Sequence, residues 1–372
     1  MKISKIEIKG LFDRFDHKID LNLEKNITVI YGINGIGKTM LFKILDYFFN
    51  QKFFQLINAP FKELIITFDD ESFFILKNNE KFVIEYKIPG EKILNFELFS
   101  NKNRVYESLK KLLSKIELYF IDTQRLLIKY DKEKNDNLDT VKHYSNKVRN
   151  MIKKKSNEYD ILSKKLELSL MERLINKEVE IFSDIDLLKE ENRKLNEKRE
   201  KLREAGLFGD EKVKEIPIPD DIDDITKAIL SVNIEDMKEK LKIFDNLYEE
   251  LNLFLNILNN NRFSYKRILI DPQKGFVFKD SNDKILDITQ LSSGEQHEVV
   301  MLFELFFIIP ENSLVVIDEP EISLHILWQK KFIDDMSEII KLKKFSILIA
   351  THSPSIINGN WDLTVELSKE DK

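Results

Sequence analysis

The chain contains no cysteine. Disulfides and cysteine-ligated zinc sites are excluded, which fits a reducing compartment, and the expected location is cytoplasmic. Also missing is any uninterrupted apolar stretch of the roughly 18 residues that a spanning helix needs. The opening residues Met1-Lys2-Ile3-Ser4-Lys5 lead into an alternating strand pattern with no apolar signal region, so neither secretion nor a membrane partner is expected. Charge of one sign is lacking too: 65 acidic against 59 basic side chains leave a formal charge of −6, with no global attraction to nucleic acid. Local basic runs, Lys153–Lys155 and Lys341–Lys344, keep a nucleic-acid partner open, although such runs are usually solvated faces. No repeat period or low-complexity tract occurs beyond a Lys/Glu/Asn bias in the middle. What is present is apolar material for a real core, 42% of 372 residues, enough for two or more core-sized units.

The most informative stretch is Ile27 to Met40, ITVIYGINGIGKTM. The β-branched run Ile27-Thr28-Val29-Ile30 reads as a buried strand, and Met40 to Phe49 has helical spacing. Between them Gly32-Ile33-Asn34-Gly35-Ile36-Gly37-Lys38-Thr39 fits G-x-x-x-x-G-K-[ST] in the strand–loop–helix setting that a P-loop requires. The glycines allow backbone N–H groups to turn inward around phosphate oxygens. Lys38 adds a point charge, and Thr39 offers a hydroxyl to Mg²⁺.

Ile3, Ile6 and Ile8, then Ile19, Leu21 and Leu23, alternate with polar residues and predict a hairpin ahead of the P-loop strand. Its loop, Phe12 to Asp16, has residues suited either to covering a nucleotide base or to local packing. Leu64–Phe68, Phe73–Leu76 and Phe82–Ile88 predict an antiparallel meander. Val105 to Ile116 is helical, and Leu118-Tyr119-Phe120-Ile121 is a compact strand ending in Asp122-Thr123-Gln124-Arg125. From about Tyr130 to Asn261 glycine is nearly absent and Lys, Glu, Asn and Leu dominate, the composition of long exposed helices. Ile181, Ile185, Leu188, Asn192, Leu195, Arg199 and Leu202 follow one heptad-like seam; Ile234, Met237, Leu241, Phe244, Tyr248, Leu251, Leu255 and Leu258 follow another. With Gly206 to Asp224 as a tip between them, the pattern predicts an antiparallel helical hairpin with arms projecting roughly 35–40 Å. Helices folded onto the body are the alternative. Ile268–Ile270 and Gly275–Phe278 resume strand pattern.

The last third places polar motifs at element ends. Leu291-Ser292-Ser293-Gly294-Glu295-Gln296 precedes the apolar helix Val299 to Ile309, where its Ser and Gly make good N-caps and expose N–H groups to an anion. Leu314–Ile317 is a buried strand ending in Asp318-Glu319-Pro320-Glu321, and Phe345–Ala350 is another ending in Thr351-His352-Ser353. Acidic residues at a parallel strand's carboxyl end can hold Mg²⁺ and orient water, and a histidine on the next strand end can reach a terminal phosphate.

These motifs resemble, in order, the Walker A loop Gly32–Thr39, the Q-loop Gln124, the signature Leu291–Gln296, the Walker B end Val316–Pro320 and the switch histidine His352 of ABC-type ATPase heads, the group of SMC, break-repair and OLD proteins. The phrases around Phe120–Leu126, Asp318–His325 with Trp328-Gln329, and Trp361–Val365 are similar to the PtuA-like standalone ATPases of bacterial anti-phage systems, Septu and retron-associated. The implied fold class is α/β: an ABC-type P-loop NTPase head with an antiparallel β subdomain and an inserted helical hairpin or short coiled coil. The implied division is 1–130 and 263–372 for the head, and 131–262 for the insertion.

The resemblance further implies a homodimer with composite ATP sites, open to higher assembly. Lys38 would bind the β- and γ-phosphates with Gly32, Asn34, Gly35 and Gly37; Thr39 and Gln124 would contact Mg²⁺, and Asp318 would support it. Glu319 would polarise the attacking water, and His352 would sense the γ-phosphate. Ser292, Ser293, Gly294 and Glu295 would bind nucleotide from the other subunit. Few residues follow His352, so a C-terminal nuclease domain like that of OLD proteins is not expected, and without cysteine the insertion cannot carry a zinc hook. The expected readout is therefore an effector from the same operon, a nuclease or other toxin. The alternatives are an SMC-like ATPase that clamps DNA directly and a helical scaffold whose ATP site sets oligomeric state.

Overall fold

In a computed structural model of the chain, residues 2–79, 81–97, 103–122, 140–176, 181–182, 184–208 and 218–368 are described. They fall into two compact units, one of Met1–Leu127 with Ser293–Lys372 and one of Ile128–Ser292.

In the first unit the chain forms β1 (Ile3–Leu11), β2 (Phe15–Asp20), β3 (Ile27–Tyr31), α1 (Lys38–Phe49) and the short α2 (Phe53–Ile57). There follow β4 (Glu63–Phe68), β5 (Phe73–Asn78), β6 (Phe82–Lys87), β7 (Leu94–Glu97), α3 (Asn103–Leu113) and β8 (Leu118–Ile121). Six of these strands make an antiparallel sheet in the order β2-β1-β4-β5-β6-β7. Its strands alternate buried and half-exposed residues, as in β6, because one face meets the core and the other meets water.

The second unit contains α4 (Thr140–Ile175), α5 (Ile185–Glu204), α6 (Asp224–Lys242), α7 (Asp245–Asn256), and a three-stranded antiparallel sheet of β9 (Lys266–Asp271), β10 (Gly275–Asp280) and β11 (Ile285–Leu286). The helical part differs from the expected hairpin. The Phe182 N–H, just ahead of α5, donates to Ser231 Oγ of α6, Glu191 pairs with Lys238 further along both helices, and Lys198 pairs with Asp245 at the start of α7, so α5 and α6 run parallel. Arg173 pairs with Asp236 and Tyr159 meets Phe244, an inverse order that makes α4 antiparallel to α6. Leu188, Leu195 and Leu202 are buried at seven-residue spacing, so the first seam is real but has a different partner direction.

Of the expected tip, Gly206 to Asp224, residues 209–217 lie outside the described residues. Gly206 has φ +75°, and a Cβ there would stand 2.2 Å from the Ile270 carbonyl oxygen of β9, which puts this turn against the three-stranded sheet. The second seam is broken between α6 and α7 at Ile243–Phe244. Strands β9 to β11, expected in the head, cluster with the helices. There Ser145 of α4 accepts the Phe276 N–H at 2.8 Å, and the rings of Phe254 and Phe276 stack at 5.7 Å.

Back in the first unit the chain forms α8 (Ser293–Phe303), β12 (Leu314–Asp318), α9 (Ile326–Lys343), β13 (Ser346–Thr351), the single turn α10 (Pro354–Ile357) and β14 (Thr364–Glu366). The second sheet of this unit is wholly parallel, β14-β3-β13-β12-β8. Its inner strand β12, LVVID, is buried along its entire length, as expected of a strand covered on both faces. Helix α1 touches both sheets, with Phe48 meeting Phe74 of β5 at 5.2 Å and Phe42 meeting Phe120 of β8 at 6.3 Å. Each of the fully buried rings, Phe42, Phe48 and Phe74, stabilises by about 1.5–3 kcal/mol. The helix that carries Lys38 and Thr39 is thereby fixed against the strands that carry the acidic residues.

Candidate functional site

The P-loop leaves the carboxyl end of β3 and wraps into the first turn of α1. Gly37 has φ +102°, and a Cβ there would lie 2.3 Å from Leu11 Cδ2, so only glycine fits beneath the β1–β2 loop. Phe12, at the head of that loop, stands next nearest to the same point, 3.6 Å away at Cε2, and is 41% exposed. Gly32 is restricted differently, since a Cβ would meet the Leu367 carbonyl at 2.6 Å. Buried His17 on β2 hydrogen-bonds the Ile36 carbonyl through Nε2 at 2.9 Å and steadies the loop's far side.

Lys38 is buried, and its ammonium donates to the carbonyls of Gly32 at 2.9 Å and Ile33 at 3.3 Å. Desolvation holds its pKa below the ordinary lysine value, opposed by the nearby Glu319, Asp318 and Glu321 carboxylates. An anion entering the loop would offset the same desolvation.

The acidic strand end arrives by sheet register. Asp318 of β12 lies beside Ala350 of β13 in a parallel ladder whose other side is β3, so the P-loop, the Asp318-Glu319 corner and the His352 turn all leave the same end of the sheet. Burial pushes the Asp318 carboxyl above the usual range, a hydrogen bond from Thr39 opposes this, and Glu319, Asp122 and Glu321 raise it further. Its Oδ1 is buried without a hydrogen-bond partner. An orphaned carboxylate oxygen beside a threonine hydroxyl, among further acidic groups, is a donor set that fits a hard divalent cation. Among the described residues no cluster of three or more His, Asp or Glu side chains forms a cage, so the remaining ligands would come from water and nucleotide.

Glu319 adopts a left-handed backbone, φ 44° and ψ 60°, uncommon for a non-glycine residue, and its N–H donates to the Ala350 carbonyl at 2.9 Å. The bend turns its side chain toward His352, with Oε1 3.7 Å from Nε2. On the other edge of the imidazole, Nδ1 lies 3.5 Å from the Lys38 ammonium. Lys38, His352 and Glu319 thus form a row from the phosphate loop to the acidic corner.

Two supporting residues were not singled out for a role from sequence. Glu321 Oε1 accepts the backbone N–H groups of His352 at 2.7 Å and Ser353 at 3.2 Å, fixing the turn that presents the imidazole. Gln329 of α9 accepts the Ser353 hydroxyl at 2.7 Å and donates to the Leu324 carbonyl at 3.0 Å. The fold therefore brings together Gly32 to Thr39, Asp318, Glu319 and His352. Asn34 is exposed at the loop's outer edge, and Ser292 and Ser293 are exposed at the start of α8. Gln124 lies outside the described residues.

A parallel sheet with a glycine loop, a buried lysine and an acidic strand end defines a P-loop nucleotide-binding ATPase domain. The chain belongs to the AAA ATPase domain family AAA_15, whose model matches residues 1–357. Its structure is similar to the Smc head domain with an extended coiled coil bound to the C-terminal domain of ScpA, from Pyrococcus furiosus, at 17% identity and a TM-score of 0.43, over 100% of this chain and 94% of that one. The SMC head domain from Thermotoga maritima is similar at 13% identity and a TM-score of 0.40, over 96% and 91%. Protein ea59 of Escherichia phage lambda is 32% identical over 81 residues, which are 22% of this chain and 15% of that protein. The chain thus matches only a small part of that relative's length. Among the described residues no helix is long and apolar enough to cross a membrane.

Proposed function

We propose that the chain binds and hydrolyses ATP in a head-to-tail homodimer, as an ABC-type switch whose closure controls an associated effector. The observation that carries this reading is the row Lys38–His352–Glu319 beside Asp318, assembled from three neighbouring parallel strands. The P-loop N–H groups and Lys38 cradle the β- and γ-phosphates. Thr39 and Asp318, with Gln124, would hold Mg²⁺, which when bound neutralises charge on those phosphates. Glu319 holds the attacking water through its carboxylate and takes up its proton, and His352 meets the γ-phosphate oxygens from the neighbouring strand end.

The signature residues, exposed Ser292 and Ser293 with half-buried Gly294 and Glu295, would complete the site of a second copy. Supplying part of the clamp from the partner makes closure dependent on ATP. The phrases resembling PtuA-like ATPases support a role in anti-phage defence, with a nuclease or other toxin from the same operon as the effector.

Glu319→Gln tests the chemistry. The expected outcome is ATP affinity within about threefold of wild type, with turnover reduced by about 10²–10⁴-fold, because only the carboxylate that activates water is removed. Equilibrium nucleotide binding and a phosphate-release assay read the two quantities. Wild-type turnover in this variant removes Glu319 from its role.

A further inference from the structure

Helix α4 is apolar on two opposite faces, and among the described residues one of them packs inside the chain and the other does not. Ile152, Tyr159, Leu166 and Arg173, spaced by seven, face the bundle: Ile152 and Leu166 are buried, Tyr159 packs on Phe208 and Phe244, and Arg173 pairs with Asp236. On the other side Ile161, Leu168, Met171 and Ile175 are 70%, 87%, 67% and 75% exposed. With Lys164 they follow the 3-4-3-4 spacing of a coiled-coil seam, and no described part of the bundle covers them. Isolated surface leucines need no explanation, but four large apolar side chains along a single stripe mark an interaction face.

We infer that this stripe is a contact with a second copy of the chain, in which two α4 helices pair antiparallel. The charges beside the seam choose the partner and the direction. Taking Ile161, Leu168 and Ile175 as a positions and Lys164 and Met171 as d positions, Lys165 and Glu172 occupy e, and Asp160 and Glu167 occupy g. In an antiparallel pair a faces d and e faces e. Leu168 then packs on Met171 of the second copy, the Lys164 stem covers its Ile175, and Lys165 meets its Glu172. The two-fold axis repeats every one of these contacts. In a parallel pair g faces e, and Glu167 would lie against Glu172 of the second copy. The stripe is therefore self-complementary in one orientation and self-repelling at its middle in the other. Lys165 and Glu172 have no ion-pair partner within the described chain, so both charges are available. The contact uses none of the residues assigned to nucleotide and requires no ATP.

The test is sedimentation velocity of the full chain without nucleotide, over a concentration series. Leu168→Asp should weaken self-association at least tenfold while leaving the far-UV circular dichroism of the folded chain unchanged, because the side chain it replaces is exposed. Lys165→Glu and Glu172→Lys should each weaken association, and the double variant should restore it. Because the natural chain has no cysteine, Leu168→Cys mixed with Met171→Cys should cross-link to each other faster than either does to itself. A wild type that stays monomeric, an unaffected Leu168→Asp, or a double charge reversal that fails to restore association would each overturn the antiparallel contact.

Discussion

Glu321 ties the acidic strand end to the histidine turn, because one of its oxygens accepts two consecutive N–H groups, those of His352 and Ser353. Hydrogen bonds to a charged group contribute about 1.5–3 kcal/mol each. Glu321→Ala should lower the melting temperature and reduce kcat by about tenfold or more, since the imidazole loses its fixed position. ATP affinity should change little, because the carbonyls that hold Lys38 belong to the loop after β3. Glu321→Gln keeps an acceptor and should recover most of kcat. Thermal melts with steady-state kinetics check the pair, and an unchanged kcat in the alanine variant would mean that the turn holds itself. This role was hidden in the sequence, where Glu321 and His352 are 31 positions apart and only the parallel pairing of β12 and β13 joins them. His17 was hidden for the same reason. Lys38, Thr39, Asp318, Glu319 and His352 were legible because each sits in a short phrase whose local form, a strand followed by a turn, already states its place.

At the scale of elements, the parallel strands and the meander follow from their residues, with apolar β-branched runs where both faces are covered and alternation where one is. The helices were less legible. A heptad seam states that a helix has an apolar partner and says nothing of the partner's direction. Leu188, Leu195 and Leu202 thus predicted burial correctly, while the antiparallel hairpin built on them was wrong. Gly206 was read as the start of a tip between two arms because glycine often marks turns, whereas its place is set by close approach to Ile270. Gly206→Ala should therefore destabilise by well over the roughly 1–2 kcal/mol that a left-handed alanine costs alone. Gly90→Ala, also at positive φ but with no atom within 4 Å of the added Cβ, should show only that smaller cost. Urea titrations of both variants separate the two terms, and equal midpoints would show that the turn at Gly206 relaxes freely.

For the whole molecule, the AAA ATPase domain family accounts for residues 1–357, while the geometry accounts for only part of a nucleotide clamp: the phosphate loop, the acidic corner and the histidine converge, and the signature serines stand exposed at the start of α8. The central claim is that a second copy supplies the missing side. Lys38→Ala disables the loop and Ser293→Arg disables the donated signature. In a mixed dimer one site carries both lesions and the other carries neither. The most direct measurement is the ATPase rate of the two inactive variants mixed in equal amounts. With independent sites and free exchange, the mixture should recover up to about a quarter of wild-type activity. A mixture no more active than its separate components, with heterodimers demonstrated by differential tagging, would contradict the composite site.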